Sequence, residues 1–210
     1  MYYTNFLLSR ELTDKLRGEF TKVELNGKYN FINKDGNLLS DQWFDLCTDF
    51  HEGLIRVILN DRYNYVDKNG KYLSKQWFDW CGDFIEGFGG VKLNNKYNYI
   101  DKNGKFLSEQ WFDNCSKFNE GFIWAELNGK YNFIDKNGNL LTNQWFEDCD
   151  SFNEGFARVK FNGKWNFIDN GGMLLSERWF DYCWNFKEGF GTVKVNSMTY
   201  KIDKNGKLLK

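Results

Sequence analysis

The chain of 210 residues contains no proline, only one histidine, His51, and only five cysteines. The absence of proline excludes proline-rich linkers and segments that bind as polyproline helices. No run of about 18 consecutive apolar residues occurs, so the sequence predicts no membrane-spanning helix. The amino terminus, MYYTNFLLSRELTDKL, has no basic region, apolar run or small-residue cleavage site, and we therefore expect no signal peptide.

An excess of charge of either sign is also missing, since 28 basic residues accompany 29 acidic ones. A general nucleic-acid or membrane-surface binder normally carries a strong positive balance. The composition therefore argues against both classes, although a local basic patch stays open. Aromatic residues, by contrast, make up 20% of the chain, more than an ordinary core requires.

These aromatic residues belong to a pattern with a fixed 34-residue period and no insertion or deletion. The repeated tryptophans are Trp43, Trp77, Trp111, Trp145 and Trp179. The repeated glycines of one turn are Gly36, Gly70, Gly104, Gly138, Gly172 and Gly206. A fixed period of this length indicates a repeat architecture, in which each unit buries its apolar face against its neighbours. We expect Trp111 and the adjacent Phe112 to belong to the shared core.

The cysteines share one position of the repeat: Cys47, Cys81, Cys115, Cys149 and Cys183. Disulfide frameworks pair different positions within a unit, and five is an odd number, so we expect free, buried thiols. A reduced, cytoplasmic setting follows as the expected location.

One unit, residues 156–189, reads as short β-strands joined by turns. Two strand-like segments flank Asn162-Gly163, which is a strong hairpin signal. A glycine turn at 170–172 and a short third strand at 173–176 follow. The last segment, 178–189, fits either a helix or a strand followed by a turn, and we favour the strand. We expect the Glu-Gly pair at its end to reverse the chain with a positive φ at glycine.

The predicted fold is therefore all-β, a tandem array of three- or four-stranded antiparallel units. We favour an open, curved solenoid over a closed, propeller-like ring, because a unit of about 34 residues is short for the four strands of a propeller blade. Residues 1–19 are interpreted as a degenerate cap, 20–189 as five full repeats, and 190–210 as a partial capping repeat.

The order of the motifs FxEGF, NGK, aromatic residue and IDKNG resembles the bacterial WG (Trp-Gly) repeat family over residues 18–210. The Trp-Gly pair itself is replaced by Tyr29-Asn30, Tyr63-Asn64, Tyr97-Asn98, Tyr131-Asn132 and Trp165-Asn166. Because asparagine tolerates the left-handed region, the exchange predicts a bulge or a special φ in the second strand. The resemblance implies an interaction or scaffold role and supplies no ligand. A weaker similarity to choline-binding cell-wall repeats is disfavoured, since those repeats are shorter and belong to secreted proteins.

Metal and cofactor chemistry finds little support in the motifs. A calcium loop starting at Asp101 would need oxygen ligands where the chain has Lys105 and Phe112. Zinc needs four converging ligands, whereas each cysteine lies one full repeat away from the next. We expect no metal and no cofactor.

Catalysis is disfavoured for a related reason. The repeated carboxylates are Asp45, Asp79, Asp113, Glu147 and Asp181, joined by the glutamate of each Glu-Gly pair. Acid–base catalysis needs two carboxyl groups in different environments, whereas these are copies of one environment. A structural role, such as accepting a turn N–H or an indole N–H, is the better interpretation. No phosphate-binding loop, nucleophile elbow or dinucleotide motif is present.

Positions that vary between repeats are the candidates for binding. The aromatic candidates are Trp80, Trp124, Tyr182 and Trp184, and the charged ones are Arg56 and Arg158. Exposed aromatic residues are enriched at binding hot spots; the alternative is that some pack against neighbouring units. The sequence predicts a non-enzymatic scaffold that binds another macromolecule, preferably a protein, as an inhibitor or adaptor. The alternatives are carbohydrate or cell-wall binding through aromatic platforms, and nucleic-acid binding through base stacking.

Overall fold

A computed structural model describes residues 19–209, and it places them in strands, turns and bends. Within this range no helix occurs, and so none is long and apolar enough to cross a membrane. The chain divides into two compact units. The first ends at Asn94 and also holds Ile100–Lys105, whereas the second holds Asn95–Tyr99 and continues from Phe106.

The first unit contains antiparallel hairpins that recur once in every repeat. Its strands are β1 Phe20–Leu25, β2 Lys28–Asn33, β3 Leu46–Cys47, β4 Leu54–Leu59, β5 Arg62–Asp67, β6 Trp80–Ile85 and β7 Phe88–Leu93; β8 Lys96–Asp101 is divided between the units. β1 and β2 form a two-stranded sheet, β3, β4 and β5 form a three-stranded one, and β6 pairs with β7.

The second unit repeats the same plan. Its strands are β9 Asn114–Cys115, β10 Phe122–Leu127, β11 Lys130–Asp135, β12 Asp148–Cys149, β13 Phe156–Phe161, β14 Lys164–Asp169, β15 Tyr182–Lys187, β16 Phe190–Val195, β17 Met198–Ile202 and β18 Leu208–Leu209. They form sheets in the orders β9-β10-β11, β12-β13-β14 and β15-β16-β17-β18. The all-β prediction is confirmed. The predicted cap lies outside the described residues except for Glu19, and the open arrangement stays a prediction.

The hairpin turns follow the sequence signals. Asn162 and Gly163 both have positive φ, 49° and 74°, as a type I′ turn requires. The Glu-Gly pairs form the same kind of turn, with φ of 54° at Glu154 and 87° at Gly155. The positive φ predicted for the glycine is confirmed, and the glutamate before it shares that conformation.

The DKNG turn needs its glycine for two reasons. Gly138 has a φ of 84°, and a Cβ on it would lie 2.1 Å from the carbonyl oxygen of Leu107 in the preceding repeat. The same close approach recurs at Gly70, Gly104, Gly172 and Gly206. Asp135 completes the turn, because its Oδ1 accepts the backbone N–H groups of Asn137 and Asn139.

The Trp-Phe-Asp segment is extended and passes from one sheet to the next. Phe146 exchanges two backbone hydrogen bonds with Tyr131 on β11, and Glu147 N donates to Lys160 O on β13, 2.8 Å away. The strand predicted for this part of the repeat is confirmed, as the short strands β3, β9 and β12 and the longer strands β6 and β15. The predicted third strand at 173–176 is wrong: Leu174 makes a single β-bridge to Ile168, because the chain turns away after it.

The asparagine of each Tyr-Asn pair is buried and adopts an ordinary strand conformation, so the predicted special φ is wrong. Asn132 Nδ2 donates to the carbonyl oxygens of Thr142, at 2.7 Å, and Gln144, at 3.2 Å. Its Oδ1 accepts the backbone N–H of Phe133 at 2.8 Å. The same contacts recur at Asn30, Asn64, Asn98 and Asn166, which are with Asn132 the buried polar residues of the described core. We call this arrangement the asparagine clamp.

The core is built from phenylalanine and aliphatic side chains, and the repeated tryptophans lie at its margin. Phe112 is buried, whereas Trp111 is half-buried and packs on Phe106, with ring centroids 5.3 Å apart. The prediction is therefore confirmed for Phe112 and wrong for Trp111. The reason is the alternation of an extended chain, which points neighbouring side chains to opposite sides.

Asn132→Ala should lower the free energy of unfolding by ~1–3 kcal/mol, because two carbonyl oxygens lose their donor and the buried N–H of Phe133 loses its acceptor. Urea denaturation gives the value. Asn143→Ala, on an exposed position of the same loop, should change it by less than about 0.5 kcal/mol. Equal effects of the two substitutions would contradict a structural role for the clamp.

Phe112→Ala should cost ~3–5 kcal/mol of unfolding free energy, since a buried ring leaves a cavity. Trp111→Ala should cost clearly less, because half-burial brings less apolar area out of water. Paired thermal and urea unfolding of the two variants provides the measurement. A larger loss of unfolding free energy for Trp111→Ala than for Phe112→Ala would show that Trp111 belongs to the core.

Candidate binding surface

Two candidate side chains of the second unit, Tyr182 and Trp184, lie around a third, Arg158. Its Nη1 donates to the Tyr182 hydroxyl oxygen at 2.7 Å and to the Cys183 carbonyl oxygen at 3.0 Å. Its Nη2 lies 3.1 Å from Asp150 Oδ2, which completes an ion pair. One guanidinium thus joins β13 to the strand β15 of the next repeat.

Aromatic rings enclose this guanidinium. Its carbon lies 5.0 Å from the Trp165 ring centroid and 5.4 Å from that of Tyr182, distances at which a cation is attracted to the ring face. Trp184 packs edge-on against Tyr182, with centroids 4.8 Å apart, and is 44% exposed. We define Asp150, Arg158, Trp165, Tyr182 and Trp184 as the Arg158 cluster.

A shallow surface concavity borders the Arg158 cluster. It is lined by Asp181, Tyr182, Trp184, Lys194 and Ser197. Tyr182 and Lys194 are cross-strand partners in β15 and β16. The concavity therefore combines an accessible indole with side chains of both charges and a hydroxyl group.

In the first unit, the candidate residues Arg56 and Trp80 have different surroundings. Arg56 Nη1 donates to the Cys81 carbonyl oxygen at 2.9 Å and lies 3.2 Å from Asp83 Oδ1. Trp80 is 43% exposed and covers Gly82, where a Cβ would lie 2.8 Å from the indole. Arg56 therefore repeats the structural contact of Arg158 with a cysteine carbonyl, whereas Trp80 is an accessible aromatic surface.

Two of the four candidate aromatic residues are less exposed than the sequence suggested. Trp124 is half-buried, packs on the cluster around Phe133 and Phe146, and lies 5.7 Å from the Tyr131 ring. Tyr182 is half-buried and hydrogen-bonded to Arg158. Trp80 and Trp184 are the exposed pair. Trp124 instead matches the alternative in which a variable residue packs within the array.

Sequence reasoning missed two members of the Arg158 cluster. Asp150 was only one of several variable residues, and Trp165 stands where the other repeats have Tyr29, Tyr63, Tyr97 and Tyr131. The replacement of tyrosine by tryptophan was the available signal, since the indole offers a larger face to a guanidinium.

The repeated carboxylates stabilise hairpin turns, as predicted. Asp113 Oδ2 accepts the backbone N–H of Asn128 at 2.7 Å, and Oδ1 pairs with Lys96. The hydrogen bond from Lys96 and that from Asn128 hold the pKa of Asp113 below its usual value. Equivalent turn contacts occur at Asp45, Asp79 and Asp181, whereas Glu147 accepts the N–H of the next turn residue, Gly163.

All five cysteines are free thiols. Cys47, Cys81 and Cys183 are buried, but Cys115 and Cys149 are partly exposed, which corrects the prediction of full burial. Burial raises the pKa of all five thiols, and that of Cys47, Cys81 and Cys183 reaches about 12. Residues 19–209 contain no group of three or more His, Cys, Asp or Glu side chains that could hold a metal ion.

A protein-family model matches the repeats of this chain. The model of the WG containing repeat matches residues 31–63, 65–97, 99–131, 133–165 and 167–198. The chain belongs to the WG repeat family. No curated protein matches it. The matches cover most of the chain and follow the period of the tryptophans, which confirms the resemblance.

Solved structures resemble this WG repeat protein only distantly. Hsv2p of Kluyveromyces lactis is 12% identical, with 89% of this chain and 71% of that chain covered and a TM-score of 0.41. A protein of unknown function from Bacteroides caccae is 13% identical, with 90% of each chain covered and a TM-score of 0.28. At these scores neither likeness supports an inference about this chain.

The thiols of the native WG repeat protein should react slowly with a thiol reagent at neutral pH. Raised pKa values leave little thiolate, which is the nucleophilic form. Five fast equivalents should appear only after denaturation. The slow native reaction should begin at Cys115 and Cys149, because their partial exposure admits the reagent. Fast native reaction of all five would contradict this, and alkylation followed by mass spectrometry identifies each site.

Proposed function

We propose that this WG repeat protein is a non-enzymatic scaffold that binds another protein through exposed aromatic side chains. The observation that carries the proposal is Trp184. It is 44% exposed, yet it rests on Tyr182, which Arg158 fixes by a 2.7 Å hydrogen bond. A rigid, accessible indole loses little entropy on binding and suits a hot spot.

The internal contacts of the arginines favour a protein over a nucleic acid. Arg158 is engaged by Asp150, Tyr182 and a backbone carbonyl, and Arg56 by Asp83 and a backbone carbonyl. Neither guanidinium is free to neutralise a phosphate without giving up these contacts. Binding to phosphates would require such free cations.

The chemistry of the repeated polar groups favours binding over catalysis. The carboxylates are used in turns, and the raised pKa values of the thiols oppose nucleophilic attack. Free thiols also fit a reducing compartment, and we propose a cytoplasmic location with an inhibitor or adaptor role. Carbohydrate binding through Trp80 and Trp184 is the alternative that the test below includes.

Trp184→Ala and Trp80→Ala should leave folding nearly intact, because both side chains lie at the surface, 44% and 43% exposed. A protein partner captured from lysate and identified by mass spectrometry should bind at least one of these variants ~2 kcal/mol more weakly. Calorimetry measures the affinity, and circular dichroism checks the fold. Trp124→Ala serves as the contrast, since a half-buried indole should affect stability.

The same variants are then titrated with peptidoglycan fragments and single-stranded RNA. Loss of sugar binding in Trp184→Ala, without a protein partner, would replace the proposal by the carbohydrate alternative. Unchanged binding to a protein partner in both variants would show that another surface is used.

A further inference from the structure

Two Glu-Gly turns, Glu154-Gly155 and Glu188-Gly189, each present two backbone N–H groups to the glutamate of the preceding repeat. Glu120 accepts the N–H groups of Glu154 and Gly155, each at 2.9 Å. Glu154 accepts those of Glu188 and Gly189, each at 2.7 Å. In a type I′ hairpin these two N–H groups point away from the cross-strand bonds, so a carboxylate can take both.

The first Glu-Gly turn of the sequence, Glu52-Gly53, is closed by two backbone hydrogen bonds between the residues that flank it. His51 and Leu54 exchange bonds of 2.8 and 3.0 Å, with φ of 50° at Glu52 and 87° at Gly53 between them. In the described part of the chain, residues 19–209, no carboxylate accepts the N–H groups of Glu52 and Gly53. The residue one repeat before Glu52 is Gly18, which has no side chain to offer.

The neighbouring glutamate is displaced by one residue and binds elsewhere. Glu19 pairs with Lys68 through its Oε2. Lys68 follows Glu52 by the same interval at which Lys204 follows Glu188, and Lys204 contacts the glutamate that occupies that turn, Glu154. The repeat spacing therefore assigns Lys68 to the first turn as the cation that accompanies an occupied turn, whereas residues 19–209 supply no carboxylate to its two N–H groups.

We propose that the Glu52-Gly53 turn is a binding site for a carboxylate of another protein, with Lys68 as the accompanying cation. The ligand is an aspartate or glutamate side chain or a carboxyl terminus, bound by two N–H groups as Glu120 is bound in its turn. Neither Trp80 nor Trp184 is among the residues of this site. It goes beyond the proposed aromatic surface and does not depend on it.

The test is an NMR titration of the full chain, labelled with nitrogen-15. The probes are N-acetylglutamic acid α-amide, for a side chain, and N-acetylalanine, for a carboxyl terminus. N-acetylglutamine α-amide is the neutral control. The Glu52 and Gly53 amide signals should move downfield and saturate with a carboxylate probe only. The Glu154 and Gly155 signals should stay in place, because Glu120 already occupies their turn.

Variants of Lys68, Glu19 and Glu120 test how charge contributes to probe binding. Lys68→Met should weaken probe binding by about two- to fivefold, and Glu19→Gln should strengthen it, because a like charge beside the probe is removed. Glu120→Ala should create a second site, so that the Glu154 and Gly155 amides begin to respond. If that variant does not fold, Glu120→Gln, which keeps one acceptor oxygen but loses the charge, should give a weaker response of the same two amides.

Unmoved Glu52 and Gly53 signals, or equal shifts with the neutral control, would overturn the proposal. Trp184→Ala should leave this titration unchanged. A failure here therefore says nothing against the aromatic surface, and a failure of the tryptophan variants says nothing against the carboxylate site.

Discussion

The fold depends on the asparagine clamp. A single repeat is too small to enclose a core of its own, so the chain leaving one hairpin must be held while its next segment crosses to the following sheet. Asn132 does this by bonding carbonyl oxygens 10 and 12 residues further along. Because the clamp is buried, its hydrogen bonds are made in a low dielectric, where an unpaired partner is costly. Phe146, which lies just beyond the clamped loop, can then bridge to Tyr131 and fill the core.

Contacts between successive repeats explain why the period never varies. Gly138, which has no Cβ, lies against a carbonyl oxygen of the preceding repeat. Glu120 accepts two N–H groups from the turn of the next repeat, and Arg158 donates to the carbonyl oxygen of Cys183. Each contact joins a side chain or a glycine to backbone atoms at a fixed separation along the chain. One inserted residue would break the contacts of the repeat that receives it, and within a strand it would turn the residues that follow in that strand to the opposite face.

Much of this was accessible from the sequence, because hairpin turns and their glycines have local causes. Asn162-Gly163 needs only its own two residues to specify a type I′ turn. The clamp was not accessible, since asparagine suits both a left-handed backbone and a buried hydrogen bond, and the partner that decides lies in a loop 10 residues away. Trp111 was misplaced for a similar reason. Its size suggests the core, but the alternation of the extended segment gives the interior to Phe112.

One position of the repeat differs in residue type between repeats and still makes structural contacts. Arg56 and Arg158 each donate to the cysteine carbonyl 25 residues later, whereas Trp124, at the same position, packs on hydrophobic side chains. Since the fold accepts a guanidinium or an indole there, the hydrogen bond from arginine to the cysteine carbonyl stabilises a repeat but is not required for the repeat to form. The aromatic residues beside it are then free to differ between repeats. In the Arg158 cluster the arginine is satisfied internally by Asp150 and Tyr182, so what remains available to a partner is the outer face of Trp184. The charged member of the cluster therefore acts as a support, and in the proposed function recognition falls to the aromatic residue that it holds in place.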